Sequence, residues 1–165
     1  MTRLASRLLD TNDSFPEMDL HLISGETLRI PRGLGDGYSV VLLYRGYWWP
    51  FCSQQLAGFQ SSLKDFDSEQ VQVIAGSVDP VDKTKEFVNK LGITYAVAYG
   101  MDLEATCEKT GAFYEKDRKL IQPTCFLIRP NETVEVAAYS SGPIGRFVAQ
   151  DVLSIVRFYK SRAKK

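Results

Sequence analysis

An α/β fold, one mixed sheet with helices on both faces, follows from three observations on this chain. Apolar runs of strand length alternate with segments whose apolar residues recur at helical spacing. Gly, Pro, Asn or Asp punctuates the joins between them. The order closes with two strands around a turn and then a long amphipathic helix. At 165 residues the chain suits one domain spanning 1–165 and a sizeable core.

Met18 to Ile23 reads as a strand, Ser24-Gly25 as a turn and Glu26 to Ile30 as the partner strand, an N-terminal hairpin. Gly33 to Gly37 is a loop whose glycine spacing, with a strand after it, does not suit phosphate binding. Tyr38 to Tyr44 is a fully buried strand. After Pro50 the residues Leu56, Phe59, Leu63 and Phe66 recur at helical spacing, which predicts one helix to about Phe66. Val71 to Val78 is a second buried strand. Asp79 then serves as N-cap, with Pro80 at the first helical position of a helix ending at Gly92. Thr94 to Ala98 is a short strand and Asp102 to about Lys109 a short helix. Thr124 to Ile128 and Val134 to Tyr139 form strands around the Pro130-Asn131-Glu132 turn. The last helix presents Val148, Val152, Ile155 and Tyr159.

Twenty basic residues balance twenty acidic ones, which argues against broad nucleic-acid binding. No apolar run reaches the roughly 18 residues of a membrane span, and the N-terminus lacks the apolar segment of a signal peptide. Three widely spaced cysteines, Cys52, Cys107 and Cys125, do not suggest a secreted disulfide framework. A reducing cytoplasm is the expected setting.

The chemistry concentrates in Tyr44-Arg45-Gly46-Tyr47-Trp48-Trp49-Pro50-Phe51-Cys52. An apolar strand, a Gly-containing turn and a helix-opening Pro deliver one cysteine to a helix's first turn. Free N–H groups and the positive dipole end there favour anions, a thiolate among them. Apolar Trp48, Trp49 and Phe51 act in the opposite sense by excluding water. Where a Cys-x-x-Cys pattern would place its first cysteine, this chain has Trp49.

This corner resembles the active-site corner of thioredoxin-fold redox proteins, and the chain from about Leu20 to Tyr159 resembles the peroxiredoxin-like (redoxin, AhpC/TSA-type) family of that superfamily. Further residues carry the resemblance: the step Gly76-Ser77-Val78-Asp79-Pro80, the segments 85–93 and 122–128, and Gly145-Arg146 leading into Asp151-Val152-Leu153. It implies a thioredoxin-like fold, a central mixed sheet flanked by helices, and a cysteine that attacks peroxide. Against the family's Pro-x-x-x-Thr-x-x-Cys, Arg45 takes the Pro position and Trp49 the Thr position. Where the family places an arginine before the later strand, the matching residue is Pro123. Thioredoxins carry a cis-proline against the active-site sulfur there, so a cis Gln122–Pro123 bond in contact with Cys52 is expected.

The resemblance implies a thiol-dependent oxidoreductase in which Cys52 reduces a peroxide or a disulfide. Trp49, Pro50, Phe51, Pro123 and Arg45 would line the substrate pocket. The backbone N–H groups of Phe51 and Cys52 would receive the leaving oxygen. An external thiol, glutathione or a thioredoxin-like protein, would regenerate Cys52. No metal or organic cofactor is implied. Cys125, two residues after Pro123, alternates into the core; Cys107 on its short helix has no spacing that favours resolution, and the position five after Cys52 is Ala57. Arg45 either pairs with the thiolate or reaches a carboxylate or solvent. His21, the only histidine, belongs to core or surface, with no metal-ligand partners in spacing. Two rival readings stand beside the enzyme. One is a lapsed redoxin serving as a binding or regulatory module. The other is a small-molecule binder using Tyr47, Trp48, Trp49 and Phe51, a patch that also suits a homodimer contact.

Overall fold

The computed structural model describes residues 7–164 and the strand Thr2–Arg3. Its centre is a five-stranded mixed sheet. In spatial order the strands are β10 (Val134–Tyr139), β9 (Thr124–Ile128), β4 (Ser39–Leu43), β5 (Gln72–Gly76) and β6 (Ala96–Ala98). β4, β5 and β6 run parallel, whereas β9 lies antiparallel to β4 and to β10. Every residue of β4 and β9 is buried, as the uninterrupted apolar runs require for strands covered on both faces.

Strand alternation sends those residues to two separate cores. Val40, Leu42, Cys125 and Leu127 point to one face. There they pack on α1 (Pro50–Ser61), α2 (Leu63–Ser68), α3 (Val81–Leu91) and α5 (Ala149–Ala163). Phe59 of α1 and Phe66 of α2 stack with ring centroids 5.3 Å apart, both fully buried. Burial of one such side chain contributes on the order of 1.5–3 kcal/mol. Val41, Leu43, Phe126 and Ile128 point to the other face. That face is covered by α4 (Leu103–Thr110) and by the hairpin of β2 (Met18–His21) and β3 (Thr27–Ile30).

Several elements depart from the sequence reading. The helix expected to run to Phe66 breaks at Ser62, where ψ moves to 8°. Ser61 turns its hydroxyl back onto the Ala57 carbonyl at 3.0 Å, the local bond by which serines bend helices. Asp79 does not cap α3. Pro80 holds the N-cap position, with ψ 160°, and makes no side-chain cap. At the other end Gly92 takes φ 67°, the left-handed stop expected of a glycine there. In α5 the buried face is Ala149, Val152, Leu153 and Val156, whereas Val148 is an exposed N-cap. A small sheet of β1 (Thr2–Arg3), β7 (Phe113–Glu115) and β8 (Leu120–Ile121) lies outside the sequence reading, its strands being two or three residues long. His21 is at the surface, 3.3 Å from the Thr27 hydroxyl. Among the described residues no helix is long and apolar enough to cross a membrane.

Candidate active site

Cys52 lies on the third residue of α1, fully buried, with Trp49 as N-cap and Pro50 at the first helical position. The strand–turn–helix expected from 39–52 is therefore present, and its turn is braced from two sides. Asp79 Oδ2 accepts the Tyr47 N–H at 2.7 Å, while the Asp79 N–H donates to Ser77 Oγ at 3.2 Å. A Cβ on Gly46 would stand 2.6 Å from Trp48 Nε1 and 3.2 Å from Asp79 Oδ1, so a larger residue there would push the Trp48 ring aside. Burial raises the Asp79 carboxyl above its usual range, against the lowering effect of the Tyr47 N–H and Ser77.

The group on the sulfur is Arg146, whose Nη1 lies 3.3 Å from Cys52 Sγ. The same nitrogen lies 3.4 Å from Gln55 Oε1, and Nη2 donates to the Pro143 carbonyl at 2.8 Å. Trp49 donates its indole Nε1–H to that same carbonyl at 2.9 Å. Gln55, one helical turn from Cys52 and buried, spends its amide N–H groups on the Phe147 carbonyl at 3.1 Å and on Cys125 Sγ at 3.4 Å. Segment 140–148 thus lies as a strap across the start of α1 and carries the only arginine hydrogen-bonded to the Cys52 sulfur among the described residues.

Arg45 is almost wholly buried, and its partners are two indole rings and a carboxylate. Its guanidinium lies over the Trp49 ring, 4.7 Å from the centroid, and over Trp48 at 5.3 Å, and it meets Glu115 Oε2 at 3.6 Å. Burial lowers its pKa, and Glu115 opposes that. Phe51 is exposed and lines a groove of about 510 Å³ beside the site, with Gln55, Ile144, Arg146, Phe147 and Val148.

Two expectations are corrected, and a third point concerns a residue with no expected role. Pro123 is buried at the entry to β9, but its peptide bond is trans; the cis bond among the described residues is Ile30–Pro31. Backbone pairing flanks the bond on either side. Gln122 N–H donates to the Phe113 carbonyl at 2.9 Å and Pro123 O accepts the Ser140 N–H at 3.0 Å, so the chain enters β9 already extended. The strap adds a wall of its own, with Arg146 on the Cys52 sulfur. Second, the Cys52 N–H is not available to a leaving oxygen, because it donates to the Trp49 carbonyl at 3.0 Å. Third, Arg146 was read only as part of a resemblance, with no role. One signal marked it: it stands just before α5, where the helix dipole disfavours a cation, so it needs another partner.

The other thiols stand apart. Cys107 belongs to the core on the opposite face of the sheet from Cys52, and burial pushes its thiol up to about 12. Cys125 shares the Cys52 face, and burial raises its thiol as well. All three are free. Among the described residues no three of His, Cys, Asp and Glu gather at metal-binding range.

Comparisons with known proteins identify the family and the fold. A sequence model of the AhpC/TSA family matches residues 11–137. The 1-Cys peroxiredoxin PER1 of Hordeum vulgare is 23% identical over 159 residues, covering 89% of this chain and 72% of that protein. Alkyl hydroperoxide reductase C of Mycolicibacterium smegmatis is 26% identical over 174 residues, covering 90% of this chain and 84% of that protein. The crystal structure of peroxidoxin BcpB from Mycobacterium tuberculosis superposes with a TM-score of 0.77 at 22% identity, over 91% of this chain and 97% of that one. The chain therefore belongs to the AhpC/TSA family, the peroxiredoxin-like redoxins of the thioredoxin superfamily.

Proposed function

We propose that the protein is a thiol-dependent peroxidase in which Cys52 is the sole reacting thiol and an external thiol restores it. The observation that carries this reading is the Arg146 guanidinium 3.3 Å from Cys52 Sγ. A positive charge and an N–H donor at that range stabilise negative charge on a nucleophile and on an oxygen leaving beside it.

In the proposed cycle the Cys52 thiolate attacks one peroxide oxygen. The S–O bond forms as the O–O bond breaks, and the departing oxygen takes a proton and leaves as water or an alcohol. Cys52 becomes a sulfenic acid. A first external thiol condenses with it, releasing water and leaving a mixed disulfide. A second thiol attacks that disulfide, returning Cys52 and carrying off the oxidised donor. Glutathione or a thioredoxin-like protein would serve as donor. An internal resolving partner is disfavoured, since Cys107 lies across the sheet and Cys125 is occupied by Gln55 in the core. A disulfide substrate would enter the same cycle at the mixed-disulfide stage.

One observation favours the second reading, a lapsed redoxin acting as a binding module. Cys52 is fully buried, so the resting fold presents no open sulfur to a substrate. The two readings separate in one experiment. The purified protein is treated with hydrogen peroxide and with an organic hydroperoxide while a sulfenic-acid trap is present, and adducts are located by mass spectrometry. A peroxidase gives an adduct on Cys52 and turns over with glutathione or thioredoxin; Cys52→Ser does neither. A folded protein that gives no adduct, although its Cys52 alkylates, is the binding module.

A further inference from the structure

We propose that Trp49 is a positioning residue: its indole N–H holds the Pro143 carbonyl and thereby seats Arg146 on the Cys52 sulfur. The inference rests on Cys52 as the reacting thiol and adds a role for the residue that replaces the first cysteine of Cys-x-x-Cys.

Two donors converge on one acceptor. Trp49 Nε1 reaches Pro143 O at 2.9 Å and Arg146 Nη2 reaches it at 2.8 Å. A carbonyl oxygen has two lone pairs, so the pair of donors saturates it. Trp49 belongs to the start of α1, whereas Pro143 and Arg146 belong to the strap. The indole bond therefore ties the strap to the helix that carries Cys52. The other side of the guanidinium, Nη1, faces Cys52 Sγ and Gln55 Oε1, and its Nε is buried with no acceptor among the described residues. Pro143 O thus sets the rotation that presents Nη1 to sulfur. The strap contributes little burial of its own at this point, since Pro143, Ile144 and Val148 are exposed. As N-cap, Trp49 makes no side-chain bond to its own helix, so the indole N–H is spent wholly on the strap. The face of the same ring carries Arg45 at 4.7 Å. Trp49→Phe keeps an aromatic ring for that contact, smaller than the indole, and removes the N–H, which makes it the informative substitution.

The test is a double-mutant cycle on Trp49→Phe and Arg146→Met, read by the rate of Cys52 alkylation across pH in natively folded protein. Trp49→Phe is expected to slow alkylation at neutral pH by about three- to tenfold, the worth of one hydrogen bond, and to move the profile toward higher pH. In the Arg146→Met background the same substitution should change the rate by less than about twofold. Equal factors in both backgrounds, or a Trp49→Phe profile that overlays the wild type, overturn the proposal. A measurement on the unaltered protein guards against a variant that fails to fold. By NMR the Trp49 indole proton should exchange more slowly than that of Trp48, which has no acceptor among the described residues, and its shift should follow Cys52 ionisation. Exchange as fast as that of Trp48 also overturns the proposal. Neither readout uses peroxide. A protein that shows the coupling but reduces no peroxide therefore keeps Trp49 as a positioning residue and loses only the peroxidase reading.

Discussion

Asp79 and Tyr47 meet through a 2.7 Å bond from the Tyr47 N–H to Asp79 Oδ2, which ties the end of one parallel-strand connection to the turn that aims Cys52. We predict that Asp79→Ala leaves that N–H unpaired and costs about 1–3 kcal/mol, read as a lower urea midpoint. Cys52 alkylation should change as the turn loosens. Asp79→Asn keeps an acceptor and should cost much less.

The same carboxyl gives a pH prediction. Its folded pKa is raised above the unfolded value of 3.8, chiefly by burial. Between the two values the folded state holds a proton that the unfolded chain has released. The stability from this group is therefore full below 3.8 and is lost as pH rises through the raised folded value. Urea midpoints measured upward from 3.8 should show the wild type losing stability relative to Asp79→Asn. Parallel curves for the two proteins would remove the buried-charge account.

Arg146 should matter through its charge and its fork. Arg146→Met is predicted to slow Cys52 alkylation at neutral pH by about tenfold or more. Arg146→Lys restores the charge but cannot span the Pro143 carbonyl and the sulfur together, so recovery should be partial. Full recovery with lysine would show that charge alone acts.

Thiol accounting gives a fourth test. In native protein a thiol reagent should modify Cys52 first, because among the described residues only its sulfur is hydrogen-bonded to a guanidinium, that of Arg146, which lines the groove. Cys107, with its thiol pushed up to about 12, and the wholly buried Cys125 should label only on unfolding. Mass spectrometry of the modified peptides decides the order, and Cys107 labelling ahead of Cys52 would contradict the site.

Trp49→Cys restores Cys-x-x-Cys with its first thiol at the N-cap and Cys52 one turn on. Thiols at this spacing suit disulfide geometry, and the variant is predicted to gain disulfide-exchange activity that Trp49→Cys with Cys52→Ser lacks. It should also lose stability, by up to about 3–5 kcal/mol for a truncated aromatic side chain, and loosen the strap. An insulin-reduction assay checks the gain; equal, negligible rates in folded variants would mean that the pocket has diverged beyond this one substitution.

Periodicity and turn chemistry were enough to read the strands Ser39–Leu43 and Thr124–Ile128, the helix opened by Pro50 and the left-handed stop at Gly92. Each of these depends on neighbours within a few residues: a run buried on both faces, a proline suited to a first helical turn, a glycine that tolerates positive φ. The placement of Cys52 on the first turn of α1 is of that kind. Arg146 on the Cys52 sulfur, Gln55 on the Cys125 sulfur and Asp79 on the Tyr47 N–H are not, for they join residues 94, 70 and 32 positions apart. Asp79 shows the difference most plainly. Its local sequence, Asp-Pro before a helix, is a sound cap, yet the packed structure offered it an N–H from the Cys52 turn. A hydrogen bond across the fold depends on where the sheet brings two chain segments together, and no local pattern encodes that meeting.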